Sequence, residues 1–234
     1  MHFRFRFLFM FKRLRSRVAW IHAAAMLGMV FFGSVGGAAN PLPLPAAEPP
    51  GDLSRRWAFE TGVAFITSNN IDQLIRGNVN VSRGDAGGQL YHLTASYLLH
   101  EFEWETRAGV LRPQLELPAT LGLVDENARS PFLDYNLAIQ GRWVDFPWND
   151  HVSTTFGMGV GLSYSEKVLA MDIERHPDRD RSHLKFTWPI QITFASPESR
   201  HHQIILYLAH QSGGHVFDRG GVNSLGIGYR FGFE

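Results

Sequence analysis

A chain of 234 residues with 22 Lys+Arg against 22 Asp+Glu has no global field to draw it to nucleic acid. The absence of cysteine excludes disulfides, thiolate metal ligands and a cysteine nucleophile. High glycine (23 residues) and 13% aromatics suit sheets whose backbones approach closely and whose rings lie at an interface.

The charge is unevenly spread. Arg4, Arg6, Lys12, Arg13, Arg15 and Arg17 crowd the first seventeen residues, and no acidic residue precedes Glu48. An apolar run, Val18 to Gly33, then leads through small residues to Gly37-Ala38-Ala39. This is the layout of a secretory signal peptide, expected to occupy 1–39 and to be cleaved. A retained anchor is the competing reading, since the run approaches the roughly 20 residues that span a bilayer. His22 and the small residues make it a weak anchor. Residues 40–54 (NPLPLPAAEPPGD and the two that follow) read as a Pro-rich linker. The folded domain is expected over 55–234.

Beyond the linker no apolar run is long enough for a second spanning helix, and period-two segments take over. In Ser153–Tyr164, Thr154, Phe156, Met158, Val160, Leu162 and Tyr164 share one face, and Ser, Thr and Gly share the other. Leu133–Trp143 and Leu184–Phe194 alternate in the same way. Eight such segments are expected, at about 56–67, 89–99, 102–112, 132–144, 152–164, 183–195, 202–212 and 222–233. Large aromatics and aliphatics on one face, with Gly, Ser, Thr and isolated charges on the other, fit lipid outside and a narrow polar interior. The expected fold is all-β: an eight-stranded antiparallel transmembrane β-barrel of the bacterial outer membrane. A secreted soluble β-sandwich is the alternative. Connections alternate long and short, which puts the N-terminus on the periplasmic side.

In this topology the seventh segment rises to the outer rim. Ile204, Leu206 and Leu208 mark its lipid face, and His210 and Ser212 continue that face. The eighth descends with Leu225, Ile227, Tyr229, Phe231 and Phe233 outward, and the same parity reaches back to Asn223. An imidazole, a hydroxyl and an amide are therefore expected on the outside of the barrel, at one height, on neighbouring strands. A hydroxyl nucleophile, a base and a group that fixes the base's tautomer are what serine ester hydrolysis needs. The i, i+2 spacing puts His210 and Ser212 on one face roughly 7 Å apart. Gly213 and Gly214 are candidates to offer backbone N–H groups to an oxyanion.

The His-x-Ser pattern, a Gly- and Asn-containing loop and a final strand of alternating aromatics resemble the lipid A 3-O-deacylase family (the PagL type). The specific match covers about the last thirty residues; the rest agrees in architecture. The resemblance implies an eight-stranded outer-membrane barrel that hydrolyses an acyl ester of lipid A, with His210 as base and Ser212 as nucleophile facing the membrane. The chain departs from the family at two positions. Asn223 stands where the family has a Glu, and Gly213 follows the Ser where an Asn is common. The resemblance implies lipid A or lipopolysaccharide as partner, and no cofactor.

Other polar clusters have plainer readings. Glu101, Glu103, Glu105 and Arg107 share a face of the third segment and read as an ion-pair ladder filling the lumen. His201-His202 falls in a periplasmic turn, without further metal ligands in sequence. Glu174–Arg181 reads as a solvated external loop, with binding of lipopolysaccharide phosphates and divalent ions as the alternative. Asp218 offers a carboxylate, although nothing in its spacing recommends it. The leading expectation is an outer-membrane esterase; the competing class is a non-catalytic barrel with a structural, adhesive or lipopolysaccharide-binding role. Whether the barrel forms a homodimer is left open.

Overall fold

The computed structural model describes residues 56–232, apart from 107, 108, 176 and 179. The signal segment and the linker expected above lie outside the described residues, as do Arg107 and Phe233. The strands are β1 (Trp57–Thr67), β2 (Gly88–Glu101), β3 (Trp104–Thr106), β4 (Gly109–Leu111), β5 (Gln114–Glu126), β6 (Phe132–Trp143), β7 (Ser153–Ser165), β8 (Leu184–Ala195), β9 (His202–Ser212) and β10 (Gly221–Gly232). Two short helices, α1 (Ile71–Ile75) and α2 (Ala170–Arg175), lie in the two longest connections. Eight strands close a barrel in the order β1-β10-β9-β8-β7-β6-β5-β2, and every described neighbour pair is antiparallel.

Closure leaves no edge, so strand backbone groups are paired within the sheet, as a lipid environment demands. The outward face is apolar: Leu93, Leu137, Ile139, Val160, Ile204 and Ile227 are all more than half exposed. Tyr135, Tyr164 and His183 cluster toward the end near the α2 connection, and Trp57 packs against Tyr97 at the opposite end. An apolar band flanked by rings is the exterior of a transmembrane barrel.

The third strand departs from the expectation. Residues 102–112 do not cross the barrel; they form a small β3–β4 hairpin outside the closed sheet. The barrel strand is β5, which lies in a stretch expected to be a long external loop. It alternates too: Leu121 and Leu123 face out while Glu116, Pro118, Gly122 and Val124 face in. Pro118 is accommodated because pairing with β6 skips it. The register passes from Glu116↔Gln140 to Ala119↔Leu137, while pairing with β2 continues through Pro118↔Ser96. A five-residue turn, 127–131, replaces the expected loop.

The expected glutamate ladder goes with it. Glu103 and Glu105 are exposed, and Glu101, also exposed, accepts a hydrogen bond from Gln114 Nε2 at 2.9 Å. The real interior network joins five other strands, β1, β5, β6, β8 and β10. Arg142 donates to Glu116 at 2.8 and 3.1 Å, Arg230 donates to the same carboxylate at 2.8 Å, and Arg230 also pairs with Glu60. Gln191 bridges Arg142 and Glu60, at 2.8 Å to each. Two carboxylates and two guanidiniums, all buried, thus neutralise one another across the lumen. Their desolvation is tolerable only because each charge is paired and hydrogen-bonded.

At the other end Leu169 and Met171, beside and within α2, join Ile66, Val124, Phe132 and Val222 in an apolar plug. The cavity between plug and network holds about 80 Å³ and is lined by groups such as His92, Asp134 and Gln211. It is far too small to admit a glycolipid or an acyl chain.

Two outcomes test this architecture. Cysteines placed at Val160 and Ile204 should react readily with a lipid-dissolved maleimide and poorly with a charged one, whereas one at Val216 in the β9–β10 loop should react with both. Equal aqueous labelling at all three would point to a soluble fold. Arg142→Met, which breaks a buried pair, should cost about 3–5 kcal/mol in urea unfolding from micelles. Arg76→Met, which loses only the exposed 3.9 Å contact to Asp72, should cost under about 1 kcal/mol.

Candidate functional site

The site is built by β9, β10 and the segments that fold over their outer ends. His210 on β9 pairs in register with Asn223 on β10 and with Trp188 on β8. Two residues further, Ser212 pairs with Gly221 and with Phe186. His210 and Ser212 share the outward parity of Ile204 and Leu206, and Asn223 that of Ile227 and Tyr229. The three therefore lie at one level of the outer face.

His210 Nδ1 and Asn223 Oδ1 are 2.6 Å apart. Which way the Asn223 amide points follows from its other contact. Its Nδ2 donates to the Asn69 carbonyl oxygen at 2.8 Å, and a carbonyl can only accept. The oxygen must therefore face His210, and Nδ1 must carry the proton of that bond. The Nε2 lone pair is left free. Asn223 is only 2% exposed despite its outward parity, because the chain leaving β1 turns over it. Thr67 Oγ1 donates to its backbone carbonyl at 3.0 Å.

Trp188 stands edge-on to the His210 ring at 5.8 Å, closing the site on the β8 side. On the β10 side Gly221 leaves a gap. A Cβ there would lie 3.3 Å from Ser212 Cβ and 3.6 Å from His210 Cε1, so the imidazole edge and the Ser212 side chain both border the space over that glycine. Among the described residues the Ser212 hydroxyl has no hydrogen-bond partner.

The two candidate oxyanion donors differ. The Gly213 N–H is spent on the Gly220 carbonyl at 3.0 Å, and Gly213 is packed so tightly that a Cβ would lie 2.0 Å from Asp218 Oδ1. Its proposed donor role is corrected accordingly. Gly214 is exposed with φ 59°, and its N–H has no hydrogen bond among the described residues. Asp218 is tied up elsewhere: Lys185 Nζ donates to it at 2.5 Å, the Ser182 N–H at 2.8 Å and the Gly220 N–H at 2.7 Å. Burial works against its charge, but these donors outweigh burial and hold its carboxyl below the ordinary value.

Residues that the sequence did not single out complete the surroundings. Asn69 is fixed by its side chain, whose Oδ1 accepts from the Asn80 N–H and whose Nδ2 donates to Gln73. From α2, Arg175 donates to the Gly221 carbonyl at 2.8 Å and to the Asn69 carbonyl at 3.2 Å. Burial lowers the Arg175 pKa, and nearby Asp172 opposes that shift. Asp172 accepts from the Gly221 N–H at 3.1 Å and pairs with Lys185 at 2.7 Å. Gly220 has no side chain because the Asp172 carboxylate fills that space. The run Glu174–Arg181 is thus more than a solvated loop: Arg175 reaches inward, and the Arg181 side chain is 4% exposed beside Asp172. His201 and His202 pack on Phe231, and His202 hydrogen-bonds Tyr229. Among the described residues no three His, Cys, Asp or Glu are grouped to hold a metal.

No family model matches the sequence, and no curated protein matches it either. Among solved structures, the outer membrane enzyme PagL superposes with a TM-score of 0.52 at 12% identity, over 74% of this chain and 98% of that one. The outer membrane protein OprG from Pseudomonas aeruginosa reaches 0.32 at 14% identity, over 78% of this chain and 98% of that one. The likeness to PagL is one of fold, and what it identifies is the architecture: this chain folds as an eight-stranded outer-membrane-type β-barrel.

Proposed function

We propose that the protein is an outer-membrane serine esterase that removes an acyl chain from lipid A, reached by export through a cleaved signal peptide. The observation that carries this reading is the 2.6 Å bond between His210 Nδ1 and Asn223 Oδ1, on a lipid-facing rim beside Ser212. It leaves Nε2 as the ring nitrogen available to act as base. Ser212 Oγ attacks the acyl carbonyl carbon as His210 Nε2 takes its proton. The tetrahedral intermediate collapses with cleavage of the ester C–O bond, and His210 returns the proton to the departing sugar oxygen. Water, deprotonated by the same nitrogen, then attacks the acyl-enzyme; the acyl–Oγ bond breaks, His210 returns the proton to Ser212 Oγ, and a fatty acid leaves.

Asn223 holds the ring and its tautomer, and the Gly214 N–H is the open donor for the oxyanion. A neutral amide supports the imidazolium less than a carboxylate does, which fits a slower enzyme. The missing Ser212–His210 hydrogen bond is compatible with this role, because catalytic contacts often tighten only once substrate binds. A site that opens sideways onto the lipid face suits an ester that never leaves the leaflet.

The same unengaged hydroxyl and neutral amide also favour a second reading, a lipopolysaccharide-binding barrel without catalysis. Mass spectrometry of lipid A from cells expressing the protein separates the two. The esterase reading expects loss of one acyl chain, abolished by Ser212→Ala and lowered about 10²-fold in rate by Asn223→Ala. Unchanged lipid A in cells with folded wild-type protein would support the non-catalytic barrel, and deacylation that survives Ser212→Ala would overturn the mechanism.

A further inference from the structure

The geometry ties His210, Ser212 and Asn223 to a residue on a different connection. Arg175, at the end of α2, spreads its guanidinium between two carbonyl oxygens. One belongs to Gly221, the register partner of Ser212. The other belongs to Asn69, the acceptor that orients the Asn223 amide. From the same helix Asp172 takes the Gly221 N–H. Both polar backbone groups of Gly221 are therefore held by α2, and Gly221 is the residue whose open face both the His210 ring and the Ser212 side chain border.

We infer that Arg175 is a positioning residue for the His210–Asn223 pair, acting through the Asn69 carbonyl and the Gly221 backbone. An asparagine amide has two nearly isosteric ends, and nothing in the side chain itself chooses between them. With the oxygen toward His210, the ring keeps its proton on Nδ1 and offers Nε2 to the serine. With the nitrogen toward His210, Nδ1 becomes the acceptor, Nε2 carries the proton, and the base is lost. A carboxylate is spared this choice, because both its oxygens accept. A neutral third member needs a fixed acceptor behind it, and the Asn69 carbonyl is that acceptor. The Asn69 side chain anchors it from one side, and Arg175 clamps it to β10 from the other. Among the described residues Arg175 makes no hydrogen bond to His210 or Ser212; it orients them through the groups it holds, and its charge also lies close enough to act on the imidazole directly.

Only the kinetic part of the test rests on the esterase reading; the tautomer can be read in the resting protein. The barrel, labelled with ¹⁵N-histidine and folded in micelles, is examined as wild type, Arg175→Met, Arg175→Gln and Lys167→Met. Lys167 serves as the control because it bonds Ser130 and lies over the Phe132 ring, with no hydrogen bond to Asn69, Gly221 or the His210–Asn223 pair among the described residues. Folding is followed by heat-modifiable migration, and Arg175→Gln, which keeps a donor, replaces Arg175→Met if the latter does not fold. His210 is assigned by its loss in His210→Ala. The expected result is a wild-type His210 signal of the Nδ1-protonated tautomer, moving toward the Nε2-protonated form in the Arg175 variant and unmoved in Lys167→Met. With deacylation measurable, kcat should fall about 10²-fold with KM unchanged, as for small displacements of a catalytic group. A folded Arg175 variant whose His210 keeps the wild-type tautomer signal overturns the inference, whatever the activity. Wild-type protein without hydrolysis but with the tautomer shift would leave the positioning role standing and remove the esterase reading.

Discussion

A strand in hydrocarbon has no water to satisfy its backbone, and that constraint governs the rest of the molecule. It forces the sheet to close, and closure forces each strand to send alternate residues to lipid and to lumen. Parity is then inherited along each strand. Once Ile204 and Leu206 face lipid, His210 and Ser212 must face outward too, and Ile227 and Tyr229 do the same for Asn223. Register supplies what parity cannot. Antiparallel pairing sets Asn223 directly opposite His210, and Gly221 opposite Ser212. A shift of one residue would send one member of each pair inward.

The interior meets the same constraint in another way. Eight strands enclose a space that side chains just fill, and the polar faces must satisfy one another there. Glu60, Glu116, Arg142 and Arg230 do so across four strands as a neutral quartet. Such a quartet contributes less through net stability than through specification, since a slipped strand would strand a buried charge. With the far end plugged by Leu169, Met171 and their neighbours, the lumen formed by the described residues keeps a cavity of about 80 Å³.

Much of this was legible from side-chain alternation alone: the strand count, the barrel, the outward placement of His210, Ser212 and Asn223. The third strand was not, because 102–112 and 114–126 both alternate. Only non-local pairing with β2 and β6 shows that the second crosses the barrel and the first folds into a hairpin. Pro118 would have argued for the wrong choice, and its tolerance depends on a break in one ladder that no local pattern reveals. Asn69 and Arg175 were equally invisible. They reach Asn223 and Gly221 from connections 154 and 46 positions away, through backbone carbonyls that every residue possesses. Gly213 looked like an oxyanion donor because glycines expose their N–H groups; the tight β9–β10 turn uses that group itself.

Asn223 owes its orientation to a group outside the two strands that carry the site. With its amide held by a fixed carbonyl it can still choose the tautomer, although it adds no charge to stabilise the imidazolium. The account stands or falls on whether His210 activates Ser212 from the lipid side. A lipophilic fluorophosphonate tests this most directly, since a serine made nucleophilic by a neighbouring base displaces its fluoride and keeps the phosphonyl group. Applied to the folded barrel in membranes, it should leave that adduct on the peptide carrying Ser212, and His210→Ala should abolish it. A folded barrel that shows no adduct at Ser212, or an equal one in His210→Ala, would contradict the account.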